Sequence, residues 1–390
     1  METADLIEII SRGEDSRHQF KENVHNQDSL AEELVAFSNS GGGIIVIGVS
    51  DKTNEVIGLT PNDVHRINEL ISNAASESVI PPANVSSQNI NHPNGLVMVV
   101  RVPDGISKPY MDKKGSVLLK VGADKRKYAS REELQRMFQA ASIVHADETP
   151  VNGMGVADVD VLFLSKYLED NLGETIEQQN VPLDRLLENM NIARDGTLNL
   201  AGALIFAKRP EVKLPVFIVK AVAFPGTEIT DEHYLESRDL AGKLTDIFEQ
   251  GIRFLIGNTS TAQNGQTVNS LGEPEVPRIV WEELLANALI HRDYFISAPV
   301  RVMIFSDRVE IISPGHLPNN LTVDNIKAGN SNIRNPILAS FATKILPYRG
   351  LGSGILRSLK AYPAIELIDD RDGNLFKVIV ARSEARVQPK

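Results

Sequence analysis

Arg278-Ile-Val-Trp-Glu-Glu-Leu-Leu-Ala-Asn-Ala-Leu-Ile-His-Arg-Asp-Tyr294, taken together with Gly350-Leu-Gly-Ser-Gly354, decides how the chain is read. Ile279, Leu284, Leu285, Ala288 and Leu289 recur at near-helical spacing, which predicts a helix. Glu283 and Asn287 stand four apart, so both side chains leave one face, with His291 a turn further on. A carboxylate and a carboxamide aimed at one spot suit a water to be activated and a cation to be held by oxygen. The alternating glycines let backbone amides approach phosphate oxygens closely.

Between these two pieces lie two more. Val300–Phe305 and Arg308–Ile312 read as strands joined through Ser306-Asp307, and they run into Ser313-Pro-Gly315. Ser331-Asn-Ile-Arg-Asn-Pro336 follows. Singly, Glu283 reads as an exposed helix charge and Asn287 as a satisfied polar; the ordered set favours a site. That set resembles the GHKL ATPases, the superfamily of gyrase, histidine kinases and mismatch-repair ATPases. It is most similar to the divergent branch that follows a Schlafen (AlbA-type) domain in bacterial regulator-like proteins.

The resemblance implies a Bergerat α/β sandwich with ATP and Mg2+ as cofactors. Glu283 would take a proton from the attacking water, and Asn287 would hold Mg2+. His291, Ser313, Gly315, Arg334, Asn335, Gly350, Gly352 and Gly354 would bind the nucleotide. Lys344 and Arg349 would join Arg334 in complementing phosphate charge. Ser313 stands where the superfamily places an aspartate for the adenine amino group. A serine accepts a hydrogen bond but is neutral and short, so a bridging water is expected.

Upstream, Leu6, Ile9 and Ile10 predict a short helix ending near Gly13, and Glu14–Lys21 a strand. Ser29–Asn39 reads as a helix that Gly41-Gly-Gly43 turns into the buried strand Ile44–Val49. Val97–Val102 and Val117–Val121 are further strands, and Glu132–Phe138 a closing helix. Ala36-Phe-Ser-Asn-Ser-Gly-Gly-Gly43, with Ile80-Pro81, Lys108-Pro-Tyr110 and Val121-Gly122, resembles the Schlafen AlbA-type domain. The partner so implied is DNA or RNA. The glycine turn serves either as a tight turn or, through its amides, as a phosphate contact.

Local charge agrees with that partner. Lys108, Lys113, Lys114, Lys120, Lys125, Arg126, Lys127 and Arg131 face only Asp112 and Asp124, and Tyr110 and Tyr128 interleave to stack on bases. The plain alternative is a solvated face. Some Schlafen domains cleave RNA with three carboxylates, the first two as Glu-x4-Glu. Here Glu14 and Asp51 map to the first and third, but Gln19 holds the second and cannot supply the charge that draws a metal. Glu22 is a substitute only if the geometry shifts. His18 and His25 read as incidental.

The expected divisions are an AlbA-type domain at 1–140, a linker at 141–156, a connecting α/β region at 157–272 and an ATP-binding domain at 273–390. In the connecting region, Asp158–Leu168 and Leu183–Met190 read as helices ahead of strands, a winged-helix-like order without a basic recognition helix, hence a packing role. Asp239–Ile256 reads as one long amphipathic helix. Its Ala241-Gly-Lys-Leu-Thr245 is not a Walker A motif, because Ser237 and Leu244 occupy the places of a glycine and a Ser/Thr. Thr259–Gly272 reads as a polar, mobile loop.

With 390 residues the chain has room for two or three domains of α+β class. It has no cysteine, which excludes disulfides, thiolate zinc sites and cysteine nucleophiles. A net charge of -11 argues against a uniform nucleic-acid coat but leaves room for a local basic face. No membrane segment or secretory leader is expected, and a cytoplasmic homo-oligomer, dimer or higher, is. The leading expectation is a nucleotide switch acting on a nucleic-acid-binding domain. A metal-dependent RNA or tRNA nuclease and a DNA-binding regulator with a degenerate pocket stand as alternatives.

Overall fold

The computed structural model describes residues 1–127, 129–141, 143–230, 233–259, 261–262, 273–318 and 321–382. Tyr128, and residues 260 and 263–272 of the expected polar loop, lie outside them. Two compact units divide the chain, Met1–Ile143 and Val144–Lys390, and both mix helix with sheet. Among the described residues no helix is long and apolar enough to cross a membrane.

The first unit is built on a four-stranded sheet in the order His18–Lys21, Gly43–Ile47, Gly95–Val102, Ser86–His92, with only the first pair parallel. Helices α1 (Thr3–Arg12), α2 (Gln27–Asn39) and α3 (Pro61–Asn73) pack on it, while α4 (Arg131–Ala140) packs through Met137 on Val117 and Leu119. Strand alternation sends Ile45, Ile47, Met98 and Val100 into a core with Leu34 and Phe37 of α2 and Ile67 of α3. Phe20, Val46 and Val99 meet Leu6 and Ile10 of α1 in another. The first strand is shorter than expected. Glu14 and Asp15 turn their carboxylates back on the backbone amides of Phe20, and of Arg17 and His18, which ends strand geometry before residue 18.

The second unit contains α5 (Val161–Leu172), α6 (Leu183–Asn189), α7 (Leu200–Phe206), α8 (Leu244–Gly257), α9 (Arg278–Ile290), α10 (Val323–Lys327), α11 (Pro336–Ile345) and α12 (Gly354–Ala361). Its six-stranded sheet runs Glu236–Leu240, Val219–Ala223, Val300–Ile304, Arg308–Pro314, Leu375–Ala381, Ile365–Asp370. Only the pairing of 219–223 with 300–304 is parallel. Two of these strands come from the expected connecting region, and α8 shares one core with α9, so no boundary near 273 separates two cores. Nor is 141–156 a bare linker: Pro150–Gly155 pairs with Thr197–Asn199. The predicted helix over 239–256 begins only at Leu244, because Asp239 and Leu240 are already hydrogen-bonded into the sheet edge opposite Lys220 and Val219. Every residue of α7 is buried.

Helix α9 lies nearly at the centre of this core. Val280, Trp281, Leu284, Leu285, Ala286, Ala288, Leu289 and Ile290 are all buried, so the helix has no wide solvent face on which to place Glu283. The carboxylate is therefore carried inside, only 3% exposed. A charge taken out of water must find a partner or neutralise.

Candidate active site

Above α9 and the sheet lies a hollow of about 820 Å3, counted to its open mouth. Leu284 and Ala288 of α9, Ile311, Phe376 and Val378 of the sheet, and Leu317, Leu321 and Ile326 give it an apolar lining. Asn287, His291, Ser313, Asn330, Ser331 and Asn332 supply polar groups. A smaller, polar hollow of about 260 Å3 shares Asn287, His291, Ser331 and Gly352 with it and adds Glu283, Tyr348, Arg349, Gly350, Gly354 and Arg357. An apolar hollow that shares four lining residues with a glycine-lined polar one has room for apolar and anionic groups side by side.

Glu283 and Asn287 both line the smaller hollow, as their spacing requires. Arg357 Nη2 donates to Glu283 Oε1, pairing α12 with α9. Burial pushes the Glu283 carboxyl up, while Arg357 and then Arg349 pull it down. Asn287 donates its Nδ2 to the Glu283 carbonyl oxygen at 2.6 Å, which leaves Oδ1 as the free end of the amide.

His291 Nε2 sits 2.9 Å from the Tyr348 hydroxyl. Burial, with Arg334 adding to it, pulls His291 down to about 4, so the imidazole is neutral at pH 7. Ser313 Oγ donates to Ala288 O at 3.0 Å, so toward the hollow this hydroxyl can only accept.

The glycines earn their places sterically. A Cβ on Gly354 would lie 2.3 Å from Glu283 Oε2, and one on Gly352, whose φ is +69°, 2.4 Å from Gly329 O. Gly350 is also left-handed, at +68°. Ser353 caps the first turn of α12 with no side-chain hydrogen bond, so these amides are not internally satisfied by it.

Other expected ligands are spent elsewhere. Asn335 is fully buried and donates Nδ2 to the carbonyls of Ile290 and Arg292, at 2.8 and 2.9 Å; it lines neither hollow. Arg334 donates to His316 O at 2.7 Å and to His291 O at 3.5 Å, and lines neither hollow. Gly315 does line the larger one, and a Cβ there would strike that same guanidinium, at 2.5 Å. Lys344 is exposed outside both, whereas Arg349 lines the smaller. Sequence reasoning missed Tyr348 and Arg357; the only signal for the arginine was its place three residues past Gly354.

In the first unit four of the eight expected basic side chains are neutralised internally. Lys108 pairs with Asp104, Lys125 with Glu32 and Glu33, and Arg126 with Glu133. Lys120 has only 1% of its side chain exposed and donates to Gln19 Oε1 and Ala123 O, at 2.6 and 2.7 Å. Burial pulls its pKa down, outweighing Glu33 and Glu14, which raise it. Tyr110 belongs to the core, locked through its backbone to the Asn39 amide, so its ring is not a stacking platform. Lys113, Lys114 and Lys127 remain exposed; the first two stand on the tight Asp112–Ser116 turn, without an ion pair among the described residues.

The glycine turn is likewise used for folding. Gly41 N donates to Asp104 Oδ1 at 3.0 Å and Gly42 N to Phe37 O at 2.9 Å, so neither amide is left for a phosphate. A Cβ on Gly42 would lie 2.7 Å from Asp104 N. Glu14 accepts from Gln19 and Phe20, Glu22 from Ser50 at 2.9 Å, and Asp51 is exposed. Among the described residues no three His, Cys, Asp or Glu side chains gather in a group that could hold a metal ion. Lys120, by donating to Gln19, brings its positive charge to the expected second carboxylate position.

Comparison with known proteins adds two matches. Residues 14–129 match the family described as Schlafen, AlbA_2, and residues 297–373 match HATPase_c_4, described as "Putative ATP-dependent DNA helicase recG C-terminal". Among solved structures, the DIP2311 protein of Corynebacterium diphtheriae is 20% identical, with 97% of this chain and 80% of that one covered and a TM-score of 0.47. The N-terminal domain of a RecG-related protein from Nitrosomonas europaea is 26% identical over 33% of this chain and 91% of that one, with a TM-score of 0.25. Among curated proteins none matches.

Proposed function

We propose that this chain, a Schlafen AlbA_2 domain followed by a HATPase_c_4-type domain, binds and hydrolyses ATP and uses its nucleotide state to control how the first unit engages DNA or RNA. The observation that supports this most is the apolar hollow that shares Asn287, His291, Ser331 and Gly352 with a polar one around Glu283 and the glycines. In this reading adenine enters the larger hollow, and Ser313 accepts from its amino group directly or through water. The phosphates lie on the backbone of residues 350–354.

For hydrolysis, the water oxygen bonds to the terminal phosphorus and the bridging P–O bond breaks, its electron pair leaving with the diphosphate. Glu283 takes the proton of the water. Asn287 fits Mg2+ as one oxygen ligand, since its nitrogen is tied to the Glu283 carbonyl. Bound Mg2+ would offset phosphate charge, its other ligands coming from phosphates and water. Self-association as a dimer or larger oligomer belongs to the same reading.

The test is a pair of titrations on the full chain, Mg-ATP and a mixed RNA/DNA pool, each with and without the other. Mutual shifts in affinity are the expected result, because coupling between two sites is reciprocal. Two unshifted isotherms would leave independent modules. No heat with any nucleotide would remove the ATP site itself.

A further inference from the structure

Arg357 lines the smaller hollow and pairs with its buried carboxylate. It stands in the first turn of α12 and reaches across to α9, where Nη2 donates to Glu283 Oε1. Its Nε is buried and has no hydrogen-bond partner among the described residues. About a quarter of the side chain, 24%, is exposed, against 4% for Glu283. One donor of the guanidinium is thus engaged and its buried Nε is unspent, while the side chain lines a hollow that Gly350, Gly352 and Gly354 also line. A planar guanidinium with a free donor suits a phosphate as well as a carboxylate, often through two parallel bonds. While it holds Glu283 Oε1, its positive charge also lowers the basicity with which that carboxylate would accept a proton.

We propose that Arg357 exchanges Glu283 for the terminal phosphate of bound ATP, so that it both tells triphosphate from diphosphate and keeps Glu283 idle until a triphosphate arrives. The inference rests on the ATP reading of this site. A triphosphate offers the guanidinium a group of higher negative charge than the carboxylate it leaves. A diphosphate ends short of it, so the ion pair with Glu283 stays closed. Only a side chain has to move, since Arg357 and Glu283 line the same hollow. Arg349, exposed on the rim of that hollow, does not make the exchange, because among the described residues it holds no carboxylate to release.

Calorimetry on the full chain with Mg-ADP and a non-hydrolysable Mg-ATP analogue tests this in wild type, Arg357→Gln, Arg357→Lys and Glu283→Gln. Wild type is expected to prefer the triphosphate by about tenfold or more, the scale of one charge-assisted pair. Arg357→Gln should bring the ratio to within about twofold while diphosphate affinity holds, and Arg357→Lys, which keeps the charge but not the fork, should fall between. Glu283→Gln releases the arginine from its ion pair, and should tighten the triphosphate several-fold, on the order of a weakened charged contact, without tightening the diphosphate. An undiminished ratio in Arg357→Gln, or weaker triphosphate binding in Glu283→Gln, overturns the assignment. Equal binding of both nucleotides by wild type removes the role of Arg357 alone; no binding of either removes the ATP reading beneath it. Circular dichroism confirms that each variant is folded.

Discussion

Asn335 donates its side-chain amide to the main-chain carbonyl of Arg292 at 2.9 Å, and with a second bond to Ile290 it fastens the start of α11 to the end of α9. Asp147, wholly buried, accepts from Leu338 N at 3.0 Å and holds the same end of α11. The Arg-Asn-Pro segment therefore acts as a fastening between α9 and α11, where Arg334 and Asn335 were expected to bind the nucleotide.

Asn335→Ala should destabilise the second unit by about 2–3 kcal/mol, since two buried carbonyls lose their donor. Urea unfolding of the purified chain measures it. An unchanged midpoint together with weaker ATP binding would instead return Asn335 to the role of a nucleotide ligand.

Glu283→Ala should lower ATP turnover by about a hundredfold or more and leave nucleotide binding in place, because general-base assistance acts in the chemical step. Phosphate release and calorimetry separate the two. A turnover rate equal to that of wild type would remove Glu283 as the base.

The histidine of the site gives a pH signature. His291 titrates at about 4 when folded, against 6.5 in the absence of its surroundings. Below pH 6.5 the unfolded chain takes up a proton that the folded one refuses, so stability falls from there down to about pH 4. Lower still, both forms are protonated and the loss stops growing; above pH 6.5 the group contributes no slope. Integrated over that window, the loss reaches up to about 3 kcal/mol. His291→Gln should flatten the curve between pH 6.5 and 4 in denaturant titrations. An identical slope in wild type and variant would contradict the burial of a neutral imidazole.

The first unit separates contact from stability. Lys113→Ala with Lys114→Ala should weaken DNA or RNA binding several-fold and reduce its salt slope by about two, one per lost phosphate contact. Lys120→Met should instead lower the melting temperature with little change in that slope, because its ammonium is spent on Gln19 and Ala123 inside the unit. Fluorescence anisotropy at several salt concentrations distinguishes them. If the Lys120 variant lost the salt slope and the double variant kept it, the assignment would be reversed.

Several of these placements were legible in advance for a local reason. Glu283 and Asn287 share a hollow because four residues is about one helical turn, and the glycine run sits beside them because only glycine tolerates those backbone angles and contacts. The strand at 43–47 follows from a short apolar run behind a glycine turn. The helix expected from Asp239 failed at its start for a reason outside the segment, since Asp239 and Leu240 lie opposite Lys220 and Val219 in the sheet.

What the sequence determined by itself is the set of periodic elements and the order of the four site pieces, both fixed by neighbours a few residues away. What only the tertiary structure decided is which charges are free. Arg357 meets Glu283 across 74 residues, Asn335 meets Ile290 across 45 and Lys120 meets Gln19 across 101. No local spacing encodes those meetings. They arise because burying an ionic or amide group requires a partner, and the fold alone determines which one lies within reach.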